Sequence, residues 1–213
     1  MQTTTPPARR GAQLLRPDAL RQIDRAFPDQ PMVLTLGGTI REMIATVGRR
    51  PNHLHMLDSM GLTAPIALGL AVGLADDPAI DRVVAVEGDG SLLMGFSVLT
   101  TIGLLKPRKL VMIVLDNGVY LATGGQPTAA AAVDLVGVAR ACGMQAQLVE
   151  GADALEGALQ ATRTQEGPHF LRVPVGTQAP PTEWLLEDPV VLRAEFDRWL
   201  AGRRGGNGAG GRP

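Results

Sequence analysis

The sequence predicts an α/β fold in which a single doubly wound domain holds a mainly parallel sheet flanked by helices. Two continuous runs rich in β-branched residues, VVAVE at 83–87 and LVMIVL at 110–115, are typical of strands buried on both faces. Between these runs lies a helical stripe of apolar residues, made by Leu92, Leu93, Phe96 and Leu99. Strand and helix patterns alternate in this way along most of the chain, which favours a parallel sheet.

The elements can be assigned in chain order. A helix is predicted at 17–27, where Leu20, Ile23 and Phe27 share one face. No internal repeat interrupts the alternation that follows. The remaining elements are predicted as a strand at 31–36, a helix at 40–47, a short strand at 53–57, a helix at 64–74, a strand at 83–87, a helix at 92–105, a strand at 110–115, a long loop at 116–128, a helix at 129–142, a strand at 145–149, a helix at 152–163, a strand at 169–175 and a terminal helix at 189–200.

Length and composition indicate one domain at 14–200, between a flexible arm at 1–13 and a disordered Gly-rich tail at 201–213. The net charge of −1 argues against a nucleic-acid partner, which usually needs a basic face. No apolar run approaches the roughly 18 residues of a membrane span, and 1–10 lacks the apolar stretch of a secretory signal. Cys142 is the only cysteine, which excludes a disulfide within the chain and a cysteine-ligated metal site built by this chain alone. A cytoplasmic protein is therefore expected.

The most informative pattern pairs Gly88-Asp89-Gly90-Ser91 with Asn117. Asp89 and Asn117 lie 28 positions apart (from 89 to 117), with one predicted helix and one predicted strand between them. A single crossover returns the chain beside its start, so both oxygen-bearing side chains are expected at one edge of the sheet. A carboxylate and an amide there suit Mg²⁺, which can hold a diphosphate. The glycines let the backbone approach that diphosphate, and the helix N-terminus favours its charge.

Two other interpretations of this pattern are open. Gly, Asp and Asn-Gly are common loop residues, so the segments could be ordinary turns between strand and helix. A dinucleotide fingerprint fits less well, because Gly88 and Gly90 match its first two glycines but Leu93 occupies the third position. The position of Asn117 favours the diphosphate interpretation.

The pattern resembles the signature of thiamine diphosphate (ThDP) enzymes, in which GDG is followed at a similar distance by Asn. The resemblance implies that Mg²⁺ is bound by Asp89, Asn117 and the backbone carbonyl of Val119, and that Gly90 and Ser91 hold the diphosphate. The cofactor contacts that it implies on these segments are Gly88, Asp89, Gly90, Ser91, Asn117, Val119, Tyr120 and Leu121.

A second segment, Asp58-Ser59-Met60-Gly61, resembles the G-S-M-G loop of ThDP-dependent decarboxylases. The resemblance implies that this loop, Ser59 included, contacts the cofactor, and that the apolar side chain of Met60 props it into its bent shape. The backbone carbonyl of Asp58 would accept a hydrogen bond from the 4′-amino group, although the family usually has Gly at this position. The alternative role for Met60 is ordinary core packing.

Two further segments sharpen the resemblance. TGGQPT at 123–128, together with ARACG at 139–143, looks like the β subunit of sulfopyruvate decarboxylase and the matching half of phosphonopyruvate decarboxylase. The family also tends to have T-G-x-T-S-R-E, whose polar groups reach the diphosphate. This chain keeps Gly37 and Thr39, the implied cofactor contacts, but has Leu36 and Ile40 for the Thr and Ser. Arg41 is either a further polar contact or a solvated helix residue.

Two histidines, His53 and His55, lie just before the Met60 loop. His55 is the one candidate in this chain for a residue that faces the substrate, and a structural role is the alternative. Cys142 is expected to be a small core residue.

The resemblance implies an active site that is divided between two chains. In these enzymes ThDP takes up the electrons released with CO₂ from a 2-oxo acid. The Glu that activates the cofactor lies on a separate pyrimidine-binding domain, for which this chain has no room. A second subunit is therefore expected to supply that domain and its Glu, most simply in an α2β2 heterotetramer.

Several activities remain compatible with these motifs. An acidic group on the 3-carbon of the substrate, sulfonate or phosphonate, is what the family implies. The alternatives are a ThDP-dependent carboligase, the β subunit of a 2-oxoacid:ferredoxin oxidoreductase, half of a transketolase, and a ThDP-binding scaffold without catalysis. The departures from the family pattern at Leu36, Ile40, His55 and Asp58 leave the substrate open.

Overall fold

The computed structural model describes residues 14–178 and 180–205. The strands in this part of the chain are β1 (Met32–Leu34), β2 (His53–His55), β3 (Val83–Gly88), β4 (Leu110–Asp116), β5 (Val119–Tyr120), β6 (Gln126–Pro127), β7 (Gln145–Leu148) and β8 (His169–Pro174). The helices are α1 (Arg16–Ala26), α2 (Gly38–Val47), α3 (Thr63–Gly73), α4 (Asp89–Met94), α5 (Val98–Leu105), α6 (Leu135–Ala141), α7 (Ala152–Thr164) and α8 (Pro189–Gly205).

Six strands form one sheet in the order β2-β1-β3-β4-β8-β7, and each pairs in parallel with its neighbours. The two remaining strands, β5 and β6, pair as a short antiparallel hairpin. The predicted α/β fold with a parallel sheet is confirmed.

Each face of the sheet packs against its own apolar core. Side chains alternate along β3, so Val83 and Ala85 join one core, and Val84 and Val86 join the other. Helices α3, α5 and α6 cover the first face, and α1, α2 and α7 cover the second. Helix α8 contacts the edge strand β2. The two central strands β3 and β4 are thus buried on both sides, as their continuous apolar runs predict.

The direction of strand addition reverses beside β1. The chain adds β2 on one side of β1 and then β3 and β4 on the other side. The loops that leave the carboxyl ends of β1 and β3 therefore diverge to opposite faces and leave a crevice, the usual location of a ligand in such sheets.

The prediction of a single helix at 92–105 is wrong. The structure has α4, which begins at Asp89, and α5, which begins at Val98. Gly95 ends α4 and lies against the backbone of Gly61, where a Cβ atom on Gly95 would be 2.2 Å from the Gly61 carbonyl oxygen. The interruption therefore coincides with a close contact between two loops that are distant in sequence.

The structure also divides the helix predicted at 129–142. A short 3-10 turn covers Ala129–Ala131, and α6 follows, with Asp134 accepting a 2.9 Å hydrogen bond from the Gly137 amide as its N-cap. Asp134 ends one turn and begins the next because its side chain competes for backbone donors.

The C-terminal helix is longer than predicted. Helix α8 continues to Gly205, so the Gly-rich tail cannot begin at 201. The arm predicted at 1–13 and the rest of the tail, 206–213, lie outside the described residues. Among the helices that are described, none combines the length and the apolar character needed to cross a membrane.

Candidate functional site

A cleft opens in the crevice at the carboxyl edge of the sheet. Loops after β1, β3 and β4 form its walls, and the Met60 loop closes one side. The residues that line it are Arg16, Thr35, Leu36, Gly37, Gly38, Thr39, Met60, Gly88, Asp89, Gly90, Ser91, Leu115, Asn117, Val119, Tyr120, Leu121, Ala122 and Thr123. The cleft thus brings together four sequence segments that were singled out separately.

Asp89 is the only acidic side chain among these lining residues, and it is 2% exposed. The Thr128 hydroxyl donates a 2.5 Å hydrogen bond to its Oδ2. Burial raises the pKa of Asp89, the Thr128 bond lowers it, and the nearby charge of Asp116 raises it further. A divalent cation beside Asp89 would reverse this balance, because it favours the ionised form.

The loop that follows β4 presents Asn117 to the same cleft. Asp116 accepts a 3.0 Å hydrogen bond from the Gly118 amide, and Asn117 Oδ1 accepts a 3.1 Å bond from the Val119 amide. The guanidinium of Arg172 pairs with Asp116 Oδ2 at 2.6 Å. These bonds hold Asn117 in a defined turn whose side-chain oxygen keeps a second lone pair for a ligand.

Gly90 provides a surface with no side chain at the start of α4. A Cβ atom there would lie 2.3 Å from Cε1 of Tyr120, so the aromatic ring packs directly on the Gly90 backbone. Both residues line the cleft. Any side chain at position 90 would therefore displace the Tyr120 ring and change this wall of the cleft.

The Met60 loop is attached to the Gly-Asp-Gly-Ser segment. The Gly61 amide donates a 2.9 Å hydrogen bond to Ser91 Oγ, and the two loops also meet at Gly95. Met60 lines the cleft, whereas Asp58 and Ser59 are not among its lining residues. Asp58 is exposed and has a φ of 51°, in the left-handed region that favours Gly.

Three residues near the cleft were missed by sequence reasoning. Arg16 lines the cleft and forms a two-bond ion pair with Glu42, both side chains being buried. Thr35 lines it at the end of β1, and Thr128 bonds to Asp89. No local pattern marks Arg16. Thr128 lies in the TGGQPT segment, which was recognised as a family feature without a role for that hydroxyl.

His55 occupies a different position from the other candidates. It is 7% exposed, its ring lies 6.2 Å from that of His53, and it is not among the residues lining the cleft. Burial lowers the pKa of His55 to about 4, and the charges of His53 and Arg49 act in the same direction. His55 is therefore neutral near pH 7.

Arg41 and Cys142 also lie away from the cleft lining. The Arg41 guanidinium stands over the ring of Trp184 at 4.3 Å, which is a cation–π contact. Cys142 is half-buried and follows the last turn of α6.

The residues present fit a metal-bound diphosphate. A carboxylate, an amide oxygen and a backbone carbonyl are the hard oxygen donors that Mg²⁺ prefers, and Mg²⁺ commonly takes its remaining ligands from phosphate and water. Within the described residues, no group of three or more His, Cys, Asp or Glu side chains is arranged to hold a metal. The cleft thus has the donors of a site that is shared with a ligand and lacks those of an all-protein metal cage.

A family model describes the same region. The model of the thiamine pyrophosphate enzyme C-terminal TPP-binding domain matches residues 38–173. The chain belongs to this family. The resemblance carried by the Gly-Asp-Gly, Asn117 and Met60 segments is confirmed, and the matched region contains these segments.

Two curated proteins and one solved structure place this ThDP enzyme domain among its relatives. Phosphonopyruvate decarboxylase of Streptomyces viridochromogenes is 37% identical over 173 residues, which cover 79% of this chain and 42% of that protein. Sulfopyruvate decarboxylase subunit beta of Methanothermobacter thermautotrophicus is 35% identical over 162 residues, covering 76% of this chain and 82% of that protein. The structure of benzoylformate decarboxylase from Polynucleobacter necessarius superposes with a TM-score of 0.66 at 20% identity, over 85% of this chain and 35% of that one.

The coverage differs between these relatives. This ThDP enzyme domain spans about two fifths of the length of the phosphonopyruvate decarboxylases that it matches, 42% in each case. It covers most of a protein that is named as a subunit. The solved structure supports the fold.

Proposed function

We propose that this chain is the diphosphate-binding subunit of a two-chain, ThDP- and Mg²⁺-dependent 2-oxoacid decarboxylase with a sulfopyruvate- or phosphonopyruvate-like substrate. The observation that carries the proposal is the convergence of Asp89, Asn117 and Met60 on one cleft. The likeness to a separate sulfopyruvate decarboxylase subunit, most of whose length this chain covers, supports it.

The metal would be held by the Asp89 carboxylate, the Asn117 side-chain oxygen and the Val119 carbonyl. Thr128 would keep Asp89 in place through its hydrogen bond, and Arg172 would do the same for the Asn117 turn through Asp116. A single carboxylate leaves the metal with positive charge, which the diphosphate then neutralises.

Bound ThDP supplies a carbon nucleophile and a sink for the electrons released with CO₂. The residues of this chain bind and orient it. Gly90 and Ser91 present the backbone amides at the start of α4 to the diphosphate, and Gly37 and Thr39 approach it from the loop after β1. Met60 provides the apolar wall against which the cofactor is held in shape.

The proposal requires a partner chain. Cofactor activation needs a carboxylic acid away from the diphosphate, and Asp89 is the only acidic side chain among the described residues that line the cleft. Asp89 would be occupied by the metal. A second subunit carrying the pyrimidine-binding domain and its Glu would complete the site, and an α2β2 heterotetramer is the proposed assembly.

The test combines partner capture with cofactor titration. The tagged chain is purified from its own cells with Mg²⁺ and ThDP, and the complex is weighed by native mass spectrometry. ThDP affinity is then measured by calorimetry with Mg²⁺ and with EDTA, for the wild-type complex and for Asp89→Asn. Asp18→Asn, the same chemical change at a half-exposed helix residue paired with Arg21, is the matched control.

The expected result is a two-chain complex that carries ThDP, releases CO₂ from sulfopyruvate or phosphonopyruvate, and loses Mg²⁺-dependent binding only with Asp89→Asn. Unchanged affinity in Asp89→Asn would overturn the metal assignment. Turnover that depends on an added electron acceptor would favour the oxidoreductase alternative, and incorporation of an added aldehyde would favour the carboligase.

A further inference from the structure

Glu87 is a buried carboxyl group that neither the family resemblance nor the proposed mechanism uses. It is 0% exposed and is the residue before Gly88 at the carboxyl end of β3. It follows Val83 and Ala85 in the strand alternation, so its side chain is on the sheet face that α3 covers. No cation pairs with it in the described part of the chain. Burying such a group is costly unless hydrogen bonds compensate for the lost water.

The first compensating bonds come from two backbone amides. Glu87 Oε2 accepts a 3.3 Å hydrogen bond from the Ala64 amide, and Oε1 accepts a 3.2 Å bond from the Gly88 amide. Ala64 belongs to the first turn of α3, whose N-cap residue, Leu62, offers no side-chain bond. Helix N-termini leave amides without intrahelical partners. Glu87, from 23 positions further along the chain, therefore caps α3 in place of a local residue.

Two hydroxyl groups, those of Ser91 and Thr35, also lie beside the Glu87 carboxyl group. Burial raises the pKa of Glu87, and the two hydroxyls act against that rise. Ser91 Oγ at the same time accepts the Gly61 amide at 2.9 Å. A hydroxyl that accepts one bond is free to donate its own proton, which gives a continuous path from the Gly61 amide through Ser91 to Glu87.

One side chain is thus in contact with three segments that line the cleft or lead into it. These are the end of β1 at Thr35, the junction of the Met60 loop with α3, and the Gly-Asp-Gly-Ser segment that contains Ser91. Met60 lines the cleft, and the residue that follows it, Gly61, is held by the hydrogen bond to Ser91.

We propose that Glu87 is a positioning residue that holds the Met60 loop in register with the diphosphate-binding segment. The assignment of these loops to a cofactor rests on the proposed function, whereas the coupling between them does not. An apolar residue in this position would often stabilise the core as well as a buried, hydrogen-bonded polar group does. The bonds of Glu87 instead join the segments that would have to be held at fixed positions around a cofactor.

The experiment measures local opening in the cofactor-free chain. In Glu87→Gln, one oxygen is replaced by an NH₂ group that faces amide donors, so the Ala64 or the Gly88 amide loses its acceptor. Hydrogen exchange at the Gly61 and Ala64 amides is expected to become at least about tenfold faster, because a buried amide that loses its acceptor no longer resists local opening. Exchange in β4 and β8 should stay as in the wild type.

Asp24→Asn is the matched control. Asp24 is also a buried carboxylate, but it lies on α1, where it pairs with Arg50 and His53, and it is not in the cleft lining. This variant should leave exchange at Gly61 and Ala64 unchanged. Acceleration that is uniform over the whole sheet in Glu87→Gln, or no acceleration at Gly61 and Ala64, would overturn the proposal.

A second variant keeps the test decisive if Glu87→Gln does not fold. Glu87→Asp keeps the carboxyl group but withdraws it by one methylene, and faster exchange at Ala64 is expected first. Wild-type protection at both amides in this variant would contradict the positioning role. In the two-chain complex, Glu87→Asp should lower kcat more than it raises the KM of the 2-oxo acid. If the wild-type complex binds no ThDP, the proposed function fails, while the exchange data still decide the role of Glu87.

Discussion

Gly95→Ala would place a methyl group where the backbone of Gly61 lies. Its Cβ atom would be 2.2 Å from the Gly61 carbonyl oxygen and 3.0 Å from both the carbonyl carbon and Cα of Gly61. The obstacle is backbone on both sides, so no side chain can rotate away. Gly61 is also bound through its amide to Ser91 and has a φ of 82°. The two loops can accommodate the methyl group only by moving apart.

The loss of stability expected for Gly95→Ala can be estimated from the distance between its Cβ atom and the Gly61 carbonyl oxygen. Nonbonded contacts to carbon are favourable at about 3.5–4.0 Å, so the backbones must separate by about 1 Å. Overpacking a close contact usually costs about 1–3 kcal/mol, and a contact with backbone belongs at the upper end. For a chain of this size, 3 kcal/mol corresponds to a fall in Tm of roughly 6–12 °C. Because Met60 precedes Gly61, cofactor binding should weaken as well.

The assay is urea unfolding followed by circular dichroism, with Gly157→Ala as the control. Gly157 lies in α7, and a Cβ atom there has no neighbour within 4 Å. Its replacement should raise the free energy of unfolding by about 0.5–1 kcal/mol, because Ala favours helix. The two substitutions are therefore expected to act with opposite sign. A Gly95→Ala chain as stable as the wild type would refute the close contact between the loops.

Three further predictions concern the cleft and its surroundings. Thr128→Val should weaken Mg²⁺-dependent ThDP binding about tenfold, since a bond to the Asp89 carboxylate is worth about 1.5–3 kcal/mol; equal affinity by calorimetry would contradict it. The pKa of His55 is lowered to about 4 in the folded state, from 6.5 in the unfolded chain. As the pH falls from 6.5 towards 4, the unfolded chain therefore takes up a proton that the folded state does not, and the free energy of unfolding falls. Wild-type protein should therefore lose about 2 kcal/mol more than His55→Gln between pH 7 and pH 5 in urea unfolding, and equal losses would remove His55 as the cause. Asp58→Val should lower the free energy of unfolding by about 1–2 kcal/mol because a branched side chain is strained at positive φ, whereas Asp58→Gly should not; equal stability of the two variants would argue against the left-handed conformation.

The fold was predictable because its signals are local. Continuous apolar runs such as 110–115 and the alternation of strand and helix patterns indicate a parallel sheet without any knowledge of tertiary contacts. The convergence of Asp89 and Asn117 was predictable for the same reason, since one crossover brings the carboxyl ends of neighbouring strands to one edge. Both residues line the same cleft.

One error arose where a distant segment decides the local structure, and the other where a polar side chain caps the backbone locally. The pattern at 92–105 has helical periodicity throughout, but Gly95 meets the backbone of Gly61, and the helix is interrupted there. The Ala-rich stretch at 129–142 predicts one helix, yet the side chain of Asp134 starts a new helix within it. Periodicity reports which face is apolar and does not report where two loops touch.

The sequence by itself determined the α/β class and the family, and it predicted the residues that a ThDP–Mg²⁺ site would need, because these depend on local patterns and on spacing. Only the tertiary structure decided what supports those residues. Arg16 pairs with Glu42, Thr128 bonds to Asp89, and Glu87 on β3 caps α3. Each partner is far away in sequence, and a hydrogen bond between distant segments leaves no periodic signal in either of them. The physical reason is that burial favours polar groups that find a partner, and the fold determines which partner lies within reach.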